Sequence, residues 1–255
     1  MSTNETVELV IKPCSSCNES IGFITINNPP VNSLSINLVQ SIDKLVDNIS
    51  KELKVLVFKS QGKGFCAGAD LKERASMSDD ETIKVVDSYK SLFSKIYKLP
   101  CPTIAAIQGY AIGGGLEFAL ACDFRFSTAD SVFSFPETSL GIIPGAGGTQ
   151  RLSRLIGLSK AKKWIFTADK FTAKEALRDS VIDKVFDDQD LMTRYIEEFS
   201  CKIARNSQRA VSSAKKSINY TSNHSLAEGL SFEREEYLKT LNDPLRIEKL
   251  KEFKK

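Results

Sequence analysis

Two glutamates stand in surroundings where a carboxylate is costly. Glu117 lies three residues after Gly114, in the first turn of the apolar run Leu116, Phe118, Ala119, Leu120 and Ala121. Glu137 sits in Phe135-Pro136-Glu137-Thr138, just before the glycine-rich stretch Gly141-Ile142-Ile143-Pro144-Gly145-Ala146-Gly147-Gly148. Each has an ordinary reading: Glu117 as a helix-start charge favoured by the dipole, Glu137 as a solvated acid opening a short helix. Brought near one site, the pair would couple, so that one carboxyl holds a proton while the other stays ionised. That arrangement suits adding or removing water without histidine or metal.

Composition removes most of the competing chemistry. The chain has a single histidine, His224, so a zinc site with two or three histidine ligands is excluded. A Ser-His-Asp hydrolase would have to run through His224, which falls in the polar break Thr221-Ser222-Asn223-His224-Ser225 and reads as a surface or capping residue. Cys14-Ser15-Ser16-Cys17 has redox or metal spacing but no second such pair, and reads as a turn between strands. All six cysteines read as reduced thiols of an intracellular protein. A net charge of +3 without long runs of like charge gives no footprint for nucleic acid or an anionic membrane.

Two loops share a layout of buried strand, small residues, then helix. Lys63-Gly64-Phe65-Cys66-Ala67-Gly68-Ala69-Asp70 follows Val55-Leu56-Val57-Phe58, and Gly109-Tyr110-Ala111-Ile112-Gly113-Gly114-Gly115 follows Thr103 to Ile107. Neither matches a dinucleotide or P-loop phosphate motif. Taken singly each is a tight turn. Together, feeding one sheet, they suggest a pair of backbone N–H donors converging on an oxyanion. Lys63 and Lys72 flank the first loop and would suit a phosphorylated ligand.

The elements that must position these residues follow from periodicity. Val7 to Lys12 and Ile21 to Ile26 read as a hairpin, stopped by Asn27-Asn28-Pro29-Pro30. Ser35 caps a helix carrying Ile36, Val39, Ile42, Val46 and Ile49. A second helix is predicted from about Asp79 to Leu99, with Ile83, Val86, Tyr89, Leu92, Phe93 and Ile96 on its apolar face. A glycine-rich turn at Ala111 to Gly115 is predicted to enter a helix over Leu116 to Cys122. Phe124 to Phe126 and Val132 to Phe135 read as strands, and Trp164 as a core residue of a later helix. Beyond Pro144 the pattern is helical apart from one strand, Val181 to Phe186. With 255 residues, 42% hydrophobic and 26% charged, this is an α/β core with a helical C-terminal extension rather than a disordered, collagenous or rod-like chain. The late helices, from about Leu191 to Phe253, carry apolar stripes that need a partner surface, either their own core or another subunit. No stretch approaches a membrane span. The polar, slightly acidic start Met1 to Glu8 resembles neither a transit peptide nor a signal, which favours a cytoplasmic protein, with the mitochondrial matrix as the alternative.

The segments Gly64 to Lys72, Pro102-Thr103-Ile104-Ala105-Ala106-Ile107 through Gly113-Gly114-Gly115-Leu116-Glu117, Pro136-Glu137, and Gly141 to Leu152 resemble the enoyl-CoA hydratase/isomerase (crotonase) superfamily. Within it, Cys66 through Ala75 with Met77-Ser78, and Gly113 through Asp123, are most similar to the 3-methylglutaconyl-CoA hydratase branch, some of whose members bind AU-rich RNA. The resemblance implies a spiral of ββα turns over residues 1–190 and a helical region over residues 191–255 that drives assembly of a homotrimer or a dimer of trimers. It implies an acyl-CoA thioester substrate and no cofactor or metal beyond the substrate's own CoA. Ala69 and Gly114 match the oxyanion-hole amides, Ala67 the residue whose backbone meets the adenine, and Lys63 the residue near the CoA phosphates. Asp70, Leu71 and Lys72 line the same loop. Glu117 and Glu137 match the pair that holds the attacking water in hydratases, Glu137 delivering the proton to C2. Isomerases of the family typically keep only the acid matching Glu137. Hydration of a 2-enoyl-CoA, in fatty-acid or branched-chain amino-acid breakdown, is therefore expected ahead of Δ3,Δ2 isomerisation.

Two departures qualify the likeness. The lysine-rich first helix of the RNA-binding branch is here Ile36, Gln40 and Lys44, which weakens phosphate contacts and the case for RNA. The lysine that reaches a neighbour's CoA from beyond the position of Phe253 has only Lys254 or Lys255 to replace it.

Overall fold

The structure, a computed structural model, describes residues 6–253. Residues 1–5 of the polar start and the two lysines after Phe253 lie outside the described residues. Strands β1 (Thr6–Pro13) and β2 (Ser20–Asn27) form the expected antiparallel hairpin, paired in register from Thr6↔Asn27 to Pro13↔Ser20. Helix α1 (Ile36–Asp47) starts where the Ser35 hydroxyl accepts the Leu38 N–H, and buries Leu38, Val39, Ile42 and Val46. It returns the chain to β3 (Val55–Ser60), parallel to β2. After the first glycine-rich loop come α2 (Leu71–Ala75) and α3 (Asp79–Lys98), the latter opened by a Ser78/Glu81 capping box.

The next two turns of chain have one plan. Strand β4 (Thr103–Ile107) enters the large sheet, β5 (Tyr110–Ile112) a small one, and α4 (Gly114–Ala121) follows. Then β6 (Phe124–Thr128) enters the large sheet and β7 (Val132–Ser134) the small one, followed by a 3-10 turn at Pro136–Leu140, α5 (Gly148–Ile156) and α6 (Leu158–Phe166). Strand β8 (Lys170–Thr172) joins the small sheet, and α7 (Ala173–Arg178) and β9 (Lys184–Phe186) complete the core. The large sheet runs β1-β2-β3-β4-β6-β9 and the small one β5-β7-β8. Isolated bridges Leu34↔Ala69 and Cys66↔Ala111 carry the small-sheet pairing back to the earlier loops. Each turn of the spiral thus gives one strand to a wide sheet and one short pairing to a narrow sheet. The narrow sheet stacks the successive loops on one another.

The buried core confirms the α/β reading, with α8 (Gln189–Ala204) placing Met192, Ile196 and Cys201 against Ile21, Phe23, Val55, Val57, Ile104, Ala106 and Phe126 of the large sheet. Helices α9 (Gln208–Tyr220) and α10 (Leu226–Thr240) pack on each other, and α11 (Pro244–Glu252) ends the described chain. Lys215 on α9 joins this pair to the core through an ion pair of 2.7 Å with Asp123. Of the late apolar stripes, that of α8 covers its own sheet, while Leu226, Leu230, Tyr237, Leu238, Ile247 and Leu250 remain exposed. Trp164 is fully buried, donating to Asp179 at 2.9 Å. His224 is an exposed loop residue whose ring stacks on Tyr220. Among the described residues no helix is long and apolar enough to cross a membrane.

Several expectations are corrected. The apolar face of α3 is Val85, Tyr89, Leu92, Phe93 and Ile96; Val86 is half-buried and Ile83 is 58% exposed. The helix contributes no buried residue before Val85, so the stripe read in sequence begins one turn too early. The glycine-rich stretch at Ala111 contains strand β5, and β8 falls in a region read as wholly helical. Both are three-residue pairings to neighbouring loops and leave no periodicity of their own. The strand read as Val181 to Phe186 begins only at Lys184, since Val181 and Ile182 turn inward as core residues. Finally, the six thiols are not all free. The hairpin turn folds onto α8, and Cys14 and Cys201, 187 positions apart, are joined as a disulfide with Cα atoms 5.5 Å apart.

Candidate active site

The two glycine-rich loops are locked together by their backbones. Phe65 and Cys66 donate to the Tyr110 carbonyl at 2.9 and 3.2 Å, and Ile112 donates to the Cys66 carbonyl at 3.0 Å. This fit requires residues without side chains. A Cβ on Gly115 would come 2.3 Å from the Cys66 carbonyl oxygen, and one on Gly109 would come 1.9 Å from that of Lys63. Gly68 (φ +87°) packs on the second loop so closely that a Cβ there would lie 3.2 Å from the Gly114 nitrogen. A Cβ on Gly114 would in turn lie 3.6 Å from the Ala69 nitrogen. The amides of Ala69 and Gly114, the expected oxyanion pair, are therefore neighbours. Gly114 opens α4, so its N–H is one of the donors a helix leaves without an internal acceptor.

A bracket absent from the sequence reading holds the first loop. Asn32, at φ +53°, accepts the Asn28 N–H at 2.7 Å and donates to the carbonyls of Gln61 and Gly64, each at 2.7 Å. Leu34 donates to the Gly68 carbonyl at 2.7 Å, and its own carbonyl accepts the Tyr89 hydroxyl. Ser33 donates to Asp70 at 2.8 Å. Replacing Asn32 by alanine removes three bonds, leaves the buried Asn28 N–H without this acceptor and the Gly64 carbonyl with only the Ser60 hydroxyl, and keeps a strained backbone. We expect a stability loss on the order of 2–4 kcal/mol, read as a lower midpoint in urea unfolding. An unchanged midpoint would dismiss the bracket.

Glu117 faces inward from α4 and is 3% exposed. Its Oε1 accepts the N–H groups of Ala146 and Gly148 at 2.8 and 2.7 Å, so the carboxyl sits at the amino terminus of α5. Burial pushes its pKa up, opposed by the N–H groups of Gly148 and Ala146 and by the charge of Arg151. Glu137, in the 3-10 turn, is buried rather than solvated. Its Oε1 lies 2.7 Å from where a Cβ on Gly113 would sit, and its Oε2 has no protein partner. Burial, reinforced by the negative charge of Glu117, pushes its pKa up to about 7. The two acids thus interact, Glu137 bordering Gly113, the residue before the Gly114 amide, and Glu117 reaching across to the start of α5. Their environments separate their roles: Glu117 has donors for an anion, Glu137 favours the neutral acid.

The remaining expected residues lie around the mouth of the first loop. Lys63, Leu71 and Lys72 are exposed, and Ala67 is half-buried. Leu71 is 61% exposed, an apolar side chain offered to solvent or ligand. The Asp70 carboxylate is occupied: it caps α2 by accepting from Lys72 and Glu73 at 3.0 and 3.3 Å, besides Ser33. Burial raises the Asp70 carboxyl, but the Ser33 hydroxyl and those N–H groups together hold it below the usual carboxylate range. Cys66 is no nucleophile, since burial pushes its thiol up to about 12.

Residues 16–254 match the family described as enoyl-CoA hydratase/isomerase. The putative enoyl-CoA hydratase/isomerase YngF of Bacillus subtilis is 41% identical over 240 residues, covering 92% of each chain. The mitochondrial methylglutaconyl-CoA hydratase of Homo sapiens is 40% identical over 254 residues, covering 97% of this chain and 75% of that protein. The crystal structure of an enoyl-CoA hydratase from Bacillus anthracis superposes with a TM-score of 0.91 at 36% identity, covering 98% of this chain and 96% of that one.

Proposed function

The chain belongs to the enoyl-CoA hydratase/isomerase family, and from that premise we propose that it adds water across the 2,3 double bond of a 2-enoyl-CoA to give a 3-hydroxyacyl-CoA. The observation that carries this reading is the pair Glu117 and Glu137, two buried and interacting carboxyls, of which Glu117 accepts two backbone N–H groups while Glu137 Oε2 has no protein partner, near two adjacent backbone amides. The thioester carbonyl is received by the N–H groups of Ala69 and Gly114, which polarise the C2–C3 double bond. Glu117, ionised, takes a proton from water as the oxygen bonds to C3. Electron density moves onto the carbonyl oxygen as an enolate, stabilised where the charge develops. Glu137, protonated, gives its proton to C2 and the carbonyl reforms. The proton held by Glu117 then returns to Glu137 through solvent or the product hydroxyl, so no external reductant or cofactor enters. The exposed Lys63 and Lys72 suit the CoA phosphates and the Ala67 backbone the adenine, with Leu71 covering the bound chain.

Both acids are needed for hydration, whereas moving a double bond requires only one to shuttle the proton. Glu117→Gln is therefore expected to abolish hydration of crotonyl-CoA. An isomerase would retain turnover of a 3-enoyl-CoA in that variant. Undiminished hydration would remove Glu117 from the mechanism. The exposed apolar residues of α10 and α11 suit assembly as a homotrimer or dimer of trimers. Helix α1, with Lys44 its single cation against Asp43 and Asp47, offers little for RNA phosphates. A gel shift with AU-rich RNA at near-physiological salt is expected to be negative at micromolar protein.

A further inference from the structure

We infer that Arg151 is the positioning residue for Glu117, clamping the loop that holds this carboxylate and supplying the positive charge that keeps it ionised while Glu137 stays protonated. The inference rests on the reading of Glu117 as the base that activates water.

Arg151 is the fourth residue of α5. Its Nη1 donates to the Ala146 carbonyl at 2.9 Å, while the N–H of the same Ala146 donates to Glu117 Oε1 at 2.8 Å. The guanidinium and the carboxylate therefore grip one residue, through its carbonyl and its amide respectively. Gly147 permits this: a Cβ at that position, where φ is +111°, would lie 2.1 Å from Arg151 Nη1. The guanidinium also lies over the Tyr97 ring, 5.9 Å from its centroid, so α3 holds it from the other side. Among the described residues Arg151 forms no salt bridge within 4.0 Å, which leaves its charge uncommitted to any other acid.

The groups that set the ionisation of Glu117 can be named. Burial is the largest influence and pushes its pKa up; the amides of Gly148 and Ala146 and the Arg151 charge act against it and favour the anion. Glu137, from the 3-10 turn, opposes it. Arg151 in turn is faced by Glu117, Tyr97 and Cys122. Two buried carboxyls that interact would share a proton without a defined owner; a cation placed behind one of them assigns it. Arg151 also lies outside any contact with the Ala69 and Gly114 amides, so its removal should spare binding of the thioester.

The test is the pH profile of crotonyl-CoA hydration in Arg151→Gln and Arg151→Lys. In R151Q we expect kcat to fall about tenfold or more with little change in KM, and the acid limb of kcat/KM to move about one unit to higher pH. R151K, which keeps the charge, should return the limb to its wild-type position. A wild-type acid limb in R151Q would overturn the inference. Should R151Q fail to fold, infrared titration of the Glu117 carboxyl, identified by its loss in Glu117→Gln, compares the wild type with R151K. Equal titration midpoints support the role of charge, and a midpoint raised by about a unit in folded R151K overturns it. Glu117→Gln run in parallel separates this inference from its premise. Undiminished turnover in E117Q fails both, whereas an inactive E117Q with an unshifted R151Q fails only the role of Arg151.

Discussion

Glu137→Gln should lower hydration of crotonyl-CoA by about 10²–10⁴-fold, the range associated with a lost general acid. Glutamine fills the same volume but carries no proton it can transfer. The wild-type side chain is held as a neutral acid by burial and by the charge of Glu117, with its pKa pushed up to about 7. Hydration needs that proton, so kcat/KM of the wild type should decline as pH rises through about 7, and the residual activity of the variant should lose this limb. Stability should move the other way. An acid whose folded pKa exceeds its unfolded value destabilises the fold once pH passes the unfolded value, and the penalty is complete above the folded one. Wild type and variant should therefore melt alike near pH 4. At pH 8 the variant should be more stable by on the order of 1–3 kcal/mol, since it has no buried charge to desolvate. An alkaline limb that survives in the variant would deny Glu137 the role of acid.

Gly114→Pro should lower kcat by about 10²–10³-fold, the usual cost of one missing oxyanion donor. The position tolerates the ring better than most, because it opens α4 and a first-turn proline removes an N–H that the helix does not use. Its φ is not in the left-handed region, unlike that of Gly113 at +51°. The ring does place carbon next to Leu34, whose Cδ1 would lie 3.1 Å from a Cβ at this position. Circular dichroism and the urea midpoint are needed to show that the fold survives. Gly114→Ala keeps the N–H but sets a methyl 3.6 Å from the Ala69 nitrogen. It should retain more activity than the proline variant. If the proline variant were folded and as active as the alanine one, the Gly114 amide would not be the donor.

Much of this site was visible in the residues themselves. The hairpin, the Ser35-capped helix and strands β3 and β4 follow from local periodicity and capping, and the structure places them within a few residues of expectation. The glycine loops were legible as loops because tight approach demands glycine at Gly109 and Gly115. What periodicity cannot express is which loop lies on which. Glu117 finds its donors 29 and 31 positions away, and only the spiral brings Ala146 and Gly148 to it. The Asn32 bracket and the reach of the Tyr89 hydroxyl to Leu34 leave no local mark for the same reason, since each acts on a carbonyl distant in sequence. Arg151 falls within the stretch Gly141 to Leu152 that carries the resemblance, but nothing local marks its reach to the Ala146 carbonyl. The Cys14–Cys201 disulfide has no local mark at all; it exists because a hairpin turn folds back on a helix near the other end of the chain.

A crystal structure with 3-hydroxybutyryl-CoA bound tests the central claim most directly. The thioester oxygen should lie about 2.7–3.1 Å from both the Ala69 and Gly114 nitrogens. The C3 hydroxyl should lie within hydrogen-bond reach of both Glu117 and Glu137, with Glu137 over C2. A thioester oxygen bound away from that amide pair, or a hydroxyl contacting neither carboxyl, would contradict it.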